Sequence, residues 1–279
     1  MDHSPTVRGR RLMRELKRLR EQANITPDEA ATRLDFSKSK LYRIENGRSR
    51  VDADDLEDML DLYDVRSPDR DALIRLGRES RRRGWWTRYK DVFTGSYVAL
   101  ESEAAAIRIN AHLVPGFLQT PAYARAVIQA TGPWLDNSDT ERRVAARTAR
   151  RDSLLGREDP PEIHVILDES VLRRQVGGPE AFADQLRALA EAAERPNLTL
   201  QVLPFRTGAA PGMDGEFVIL SFPDPEDEPV AYAEGLYGDV YLESKDEVAR
   251  FETAWTALAQ KALAPADSTA MIREAAKET

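Results

Sequence analysis

Residues 26–48 read TPDEAATRLDFSKSKLYRIENGR, and the punctuation of this stretch decides the fold of the N-terminal part of the chain. Thr26 can cap a helix that opens on Pro27, whose missing N–H costs nothing at a first helical position, while Glu29 stands where a capping-box carboxylate reaches back. Ala30, Ala31 and Leu34 give that short helix one apolar side. Asp35-Phe36 interrupts the period and Ser37 offers a second cap. Leu41 and Ile44 then recur as the inward face of another helix, which stops at Asn46-Gly47.

Outward from this stretch, residues 10–23 (RRLMRELKRLREQA) repeat Leu12, Leu16 and Leu19 between basic residues, which predicts a helix with one buried stripe. A helix over about 53–63 carries Leu56, Met59, Leu60 and Leu62, and a further basic helix spans about 69–83. A charge run then meets a glycine and two large aromatics at Arg81-Arg82-Arg83-Gly84-Trp85-Trp86, which marks a hinge near residue 84. Residues 101–157 read as helices broken at Val114-Pro115-Gly116 and Gly132-Pro133. After Pro160-Pro161 the period changes to β-type runs at 163–167, 198–205, 217–222, 230–233 and 239–242, with helices over about 179–194 and 246–263. The expected organisation is an all-α bundle over 7–66, a linker helix and hinge over 67–84, an α+β domain with a mixed β-sheet over 85–265, and a flexible polar tail over 266–279.

Composition excludes several classes. The 279 residues contain no cysteine, so there is neither a disulfide framework nor a thiolate metal site. No apolar run approaches the length that spans a bilayer, and the N-terminus lacks the apolar core of a signal peptide, which implies a cytoplasmic protein. The net charge of −8 is unevenly spread: residues 7–50 hold 13 Lys and Arg against 6 Asp and Glu, whereas residues 84–279 hold 20 against 31. One end attracts phosphate and the other repels it.

A helix that reads a DNA major groove needs apolar residues to dock on its bundle and polar, preferably basic, residues on its outer face. Residues 37–48 have that layout. Lys38, Ser39, Tyr42 and Arg43 are the candidates for base edges, with Arg43 foremost because a guanidinium can donate twice to guanine. Thr26, Ser37, Lys40, Arg48 and Arg50 stand at helix starts or beyond a helix end, where phosphate oxygens are in reach. Such a module touches few base pairs, so a homodimer on a near-palindromic operator in double-stranded DNA is expected, with the protein associated with the nucleoid when bound.

Residues 12–63 resemble the Xre-type, phage-repressor-like helix-turn-helix. The resemblance is carried by Leu12, Leu16, Arg20, Ile25, Thr26, Glu29, Ala30, Ala31, Leu34, Ser37, Leu41, Ile44, Glu45, Asn46 and Gly47. It implies a structural ion pair between Arg20 and Glu45. The sequence departs from that family at Pro27, where glutamine is frequent, and at Asp35, where glycine is frequent and a positive φ less costly. The remainder, with VPGFLQTPAYARA at 114–126 as its distinctive string, resembles the second domain of WhiJ-like regulators. That resemblance implies a transcriptional repressor or autoregulator whose second domain receives a signal from a ligand or from a small protein encoded alongside, in a toxin-antitoxin-like pairing. The alternative is an antitoxin-like protein whose main task is to bind and neutralise that small partner.

No enzyme is expected, an enzyme in residues 85–263 being the least favoured of the three readings. His3, His112 and His164 are too dispersed for a metal or catalytic set. His164 with Asp168 and Glu169 lacks a nucleophile or oxyanion motif, and the glycine-rich 208–215 (GAAPGMDG) lacks the lysine of a phosphate loop. Trp85, Trp86, Trp134 and Phe117 read as core rather than as a ligand pocket. The sequence thus implies no cofactor and no metal.

Overall fold

The computed structural model describes residues 7–46, 49–81, 84–93, 97–225, 227–235 and 238–279. Helix α1 (Val7–Gln22) turns Leu12, Met13 and Leu16 inward, and α2 (Pro27–Arg33), α3 (Lys38–Glu45), α4 (Ala53–Leu62) and α5 (Asp69–Ser80) follow. Leu12, Leu16, Ala30, Leu41, Ile44, Leu56, Met59, Leu60 and Leu73 form one buried cluster, so the five helices share a single core. Gly77 on α5 permits a close crossing, because a Cβ there would stand 2.5 Å from Leu56 Cδ2.

Three of these helices end alike. Asn24, Asp35 and Asp64 adopt φ of 56°, 53° and 52°. The next N–H reaches back five residues: Ile25 to the Arg20 carbonyl (3.1 Å), Phe36 to Ala31 (2.8 Å) and Val65 to Leu60 (2.9 Å). These are Schellman closures, and Ile25, Phe36 and Val65 supply their usual apolar contact by packing on the core. The turn into α3 therefore needs a left-handed residue, and Asp35 takes that conformation without glycine's freedom. Its charge also stands at the negative end of α2. Asp35→Gly is expected to stabilise the bundle by about 1 kcal/mol, since the relief of left-handed strain and dipole repulsion exceeds glycine's added chain entropy. A rise in urea midpoint with unchanged slope checks this, and Asp35→Ala should move the midpoint down.

The described residues divide by contact into two units, one drawn from 1–87 and 94–103, the other from 88–93 and 104–279. This differs from a single hinge near residue 84 in two ways. The expected linker helix, α5, packs against α1 and α4 and buries Leu73. Helix α6 (Tyr97–Glu103), assigned by sequence to the second domain, falls with the first unit, where Glu103 accepts the Arg8 N–H at 3.3 Å.

The second unit is built on a mixed six-stranded sheet of order β3-β2-β1-β4-β5-β6, made of β1 (Ala106–Ala111), β2 (Glu162–Asp168), β3 (Leu198–Leu203), β4 (Phe217–Ser221), β5 (Val230–Gly235) and β6 (Gly238–Leu242). β1, β2 and β3 run parallel, and the remaining pairings are antiparallel. Helices α7 (Pro121–Thr131), α8 (Asn137–Leu155), α9 (Pro179–Ala192), α10 (Lys245–Lys261) and α11 (Pro265–Glu278) complete it. The chain is thus a helical bundle followed by an α+β unit.

Two sequence expectations are corrected. Residues 101–157 are not all helical, since β1 lies among them, with Ile107 and Ile109 buried and paired to Ile163 and Val165. Residues 266–279 are not a frayed tail: α11 lies against α9 and β3 with Ile272 fully buried, and Ser268 Oγ accepts the Val202 N–H at 2.9 Å. The loop 208–215 is an inter-strand connection held by Asn110, whose Nδ2 donates to the Gly212 and Gly215 carbonyls at 3.0 and 3.1 Å. Gly212 has φ of 81°, and a Cβ there would meet Asn110 Nδ2 at 2.6 Å.

Candidate nucleic-acid interface

The site is set by two caps. Thr26 Oγ1 accepts the Glu29 N–H at 3.2 Å and starts α2, and Ser37 Oγ accepts the Lys40 N–H at 3.1 Å and starts α3. Between them the Asp35 turn swings the chain so that α3 lays Leu41 and Ile44, 1% and 0% exposed, onto the bundle core. The helical period then forces Lys38, Ser39, Tyr42 and Arg43 outward. Tyr42 is 57% exposed. With Pro27 and Asp28 these four side chains line one open groove of about 580 Å³.

The cations of α3 are not equivalent. Lys38 Nζ lies 2.7 Å from Asp28 Oδ2, an exposed pair that exchanges readily with another anion. Lys40, expected to reach phosphate, turns away: its Nζ is 2.7 Å from Asp55 Oδ1 and 3.7 Å from the centre of the Phe36 ring. Its charge is spent holding α3 to α4. Arg43 has no hydrogen bond or ion pair among the described residues. Thr26 and Ser37 use their side-chain oxygens as caps, and Arg50 is exposed. Arg48 lies outside the described residues.

Beneath this face Arg20 Nε and Nη2 donate to Glu45 Oε1 and Oε2 at 2.6 and 3.0 Å, and Nη1 donates to the Ile25 carbonyl at 2.8 Å. The hydrogen bond to Glu45 outweighs desolvation and pushes the Arg20 pKa up. Glu45 is the last residue of α3 and Arg20 lies near the end of α1, so the pair fixes the angle at which α3 is presented.

The His164 grouping is not brought into a catalytic arrangement. His164 Nε2 is 2.6 Å from Gln201 Oε1, its ring meets Trp255 edge-on at 5.0 Å, and burial pushes its pKa down. Asp168 Oδ1 accepts the Ser170 N–H at 2.9 Å. Glu169 bonds to the Phe205 N–H at 2.8 Å and pairs with Arg173 at 3.1 Å. Of the four aromatics read as core, Phe117 is fully buried while Trp134 is 79% exposed, because its loop carries it past the end of α7.

The bundle and its exposed α3 define a helix-turn-helix, and a family model described as "Helix-turn-helix domain" matches residues 11–73. A second, described as "Domain of unknown function (DUF5753)", matches residues 94–274. The chain belongs to that DUF5753 family, with a helix-turn-helix domain at its N-terminal end. Neither a curated protein nor a solved structure matches the chain at a significant level. Among the described residues no helix is long and apolar enough to cross a membrane.

Proposed function

We propose that the chain is a cytoplasmic, non-enzymatic transcriptional regulator of the Xre-like kind, which binds a near-palindromic operator as a homodimer and represses or autoregulates. The observation that carries this reading is the division of α3 into a buried Leu41/Ile44 side and an exposed Lys38, Ser39, Tyr42 and Arg43 side. The excess of 13 Lys and Arg over 6 Asp and Glu in residues 7–50 supports it, because phosphate neutralisation supplies most of the non-specific affinity for DNA. The second unit is the natural receiver of a signal, whether a ligand or a small protein encoded alongside, as its resemblance to WhiJ-like regulators implies.

Selection of duplexes from a random pool by the purified full chain, followed by footprinting, tests the reading. The expected outcome is a two-fold-related sequence whose half-sites lie about 34–36 Å apart, or a multiple of that, so that both α3 helices enter major grooves. A pool that stays unenriched overturns sequence-specific regulation.

A further inference from the structure

The string VPGFLQTPAYARA lies outside the helix-turn-helix bundle, and the fold invests buried polar groups in it. Gln119, 6% exposed, donates Nε2 to the Val114 carbonyl at 2.7 Å. Gln185, fully buried, donates to the Leu118 carbonyl at 2.8 Å and accepts the Thr120 N–H at 2.7 Å. The loop is thereby closed on itself and tied to α9, and from α8 it is met by Arg147, whose Nη1 donates to Gln119 Oε1 and, at 3.5 Å, to the Ala124 carbonyl.

This arginine is unusual among its neighbours. On the same helix Arg142 pairs with Asp91, and Arg125 of α7 pairs with Glu141. The Arg147 guanidinium meets only neutral oxygens among the described residues, although it is the more buried group. Arg143, one turn earlier on the same face, has no hydrogen bond among the described residues, and Asp91 only acts on it from a distance. Arg150, one turn later, lies 5.8 Å from the centre of the Phe117 ring, and both it and Arg147 pass over Gly116, where a Cβ would stand 3.4 Å from Arg150 Nη1 and 3.9 Å from Arg147 Cδ. Burial and the charges of Arg150 and Arg143 push the Arg147 pKa down to about 10, against which Glu234 acts without a hydrogen bond. Desolvated positive charge with donors to spare is the electrostatic condition an oxyanion relieves.

We infer that Arg147 and Arg143 of α8, braced by Gln119 and the 114–120 loop, form a binding site for the carboxylate or phosphate group of a small-molecule effector. This deepens the reading of the second unit as a signal receiver, but the binding itself does not depend on DNA recognition. The test uses the full chain without DNA, with inorganic phosphate in one arm and acetate in the other, each against chloride at equal ionic strength. The readout is the melting temperature of the second unit together with titration calorimetry. One of the two anions is expected to bind and raise that melting temperature, phosphate marking a phosphorylated ligand and acetate a carboxylate. Arg147→Gln should weaken the binding about tenfold or more, as loss of a charged hydrogen bond does. Arg43→Ala, which removes a cation from the DNA-reading face, should leave it intact. If Arg147→Gln fails to fold, Arg143→Gln gives the same reading from one turn earlier on α8. Binding of neither anion, equal binding in both α8 variants, or loss of binding in Arg43→Ala overturns the site.

Discussion

Alanine at Arg20 should lower the melting temperature of the helix-turn-helix unit by roughly 12 °C or more, while the transition of the second unit stays where it is. The side chains of Arg20 and Glu45 are 6% and 8% exposed, so the alanine variant leaves a carboxylate facing the core with no counter-charge and strips the Ile25 carbonyl of its donor. Breaking a buried pair from one side costs about 3–5 kcal/mol. In a bundle of this size each kcal/mol moves the midpoint by about 4–8 °C. The double change Arg20→Met with Glu45→Leu should recover much of the loss, because it removes both charges and their desolvation together. Calorimetry of the full chain separates the outcomes. A shift of only a degree or two in the single variant would mean that the pair behaves as a solvated one and does not brace α3. Measured well below the midpoint, the same variant should still bind DNA less tightly, since the pair sets the inclination of α3 as well as its stability.

How much of this was legible depended on whether a residue's task was local. The caps at Thr26 and Ser37 and the inward pair Leu41 and Ile44 follow from rules spanning four residues, and the structure builds the turn around them. Asp35 is the instructive case. The sequence marks it as a poor substitute for glycine, yet its φ of 53° shows that the Schellman closure and the burial of Phe36 outweigh the strain. Strand β1 was hidden by its neighbours: Glu101 to Ala106 is rich in good helix formers, and the alternation of Ile107 with Ile109 is too short to override them until β2 and β4 pair on either side. Helix α11 has few large apolar residues, and it is contacts with distant elements, those of Ile272, Ala275 and Ser268 among them, that fix it in place. The same limit applies to Lys40. Nothing near it in sequence says that Asp55, fifteen residues away, takes its charge.

Alanine at Arg43 should weaken binding to the operator by about 5- to 150-fold, while binding to random duplex changes far less. The reason lies in what each cation on α3 gives up. Lys40 is committed to Asp55, and Lys38 must release Asp28, at 2.7 Å, before it can serve a base, so part of its gain is cancelled. Arg43 breaks no hydrogen bond or ion pair with a described residue, and its planar fork can meet guanine O6 and N7 together at about 1–3 kcal/mol. Lys38→Ala should therefore cost less than Arg43→Ala on the operator. Arg50→Ala should behave differently from both, weakening all duplexes alike and reducing the slope of log affinity against log salt by about 0.9, as expected when one phosphate is no longer neutralised. Competition binding on operator and scrambled duplexes across a salt series measures both quantities at once. Equal losses on the two duplexes for Arg43→Ala would place this side chain on the backbone rather than on a base edge, and would move the reading of sequence to Tyr42 and Ser39 on the same exposed face.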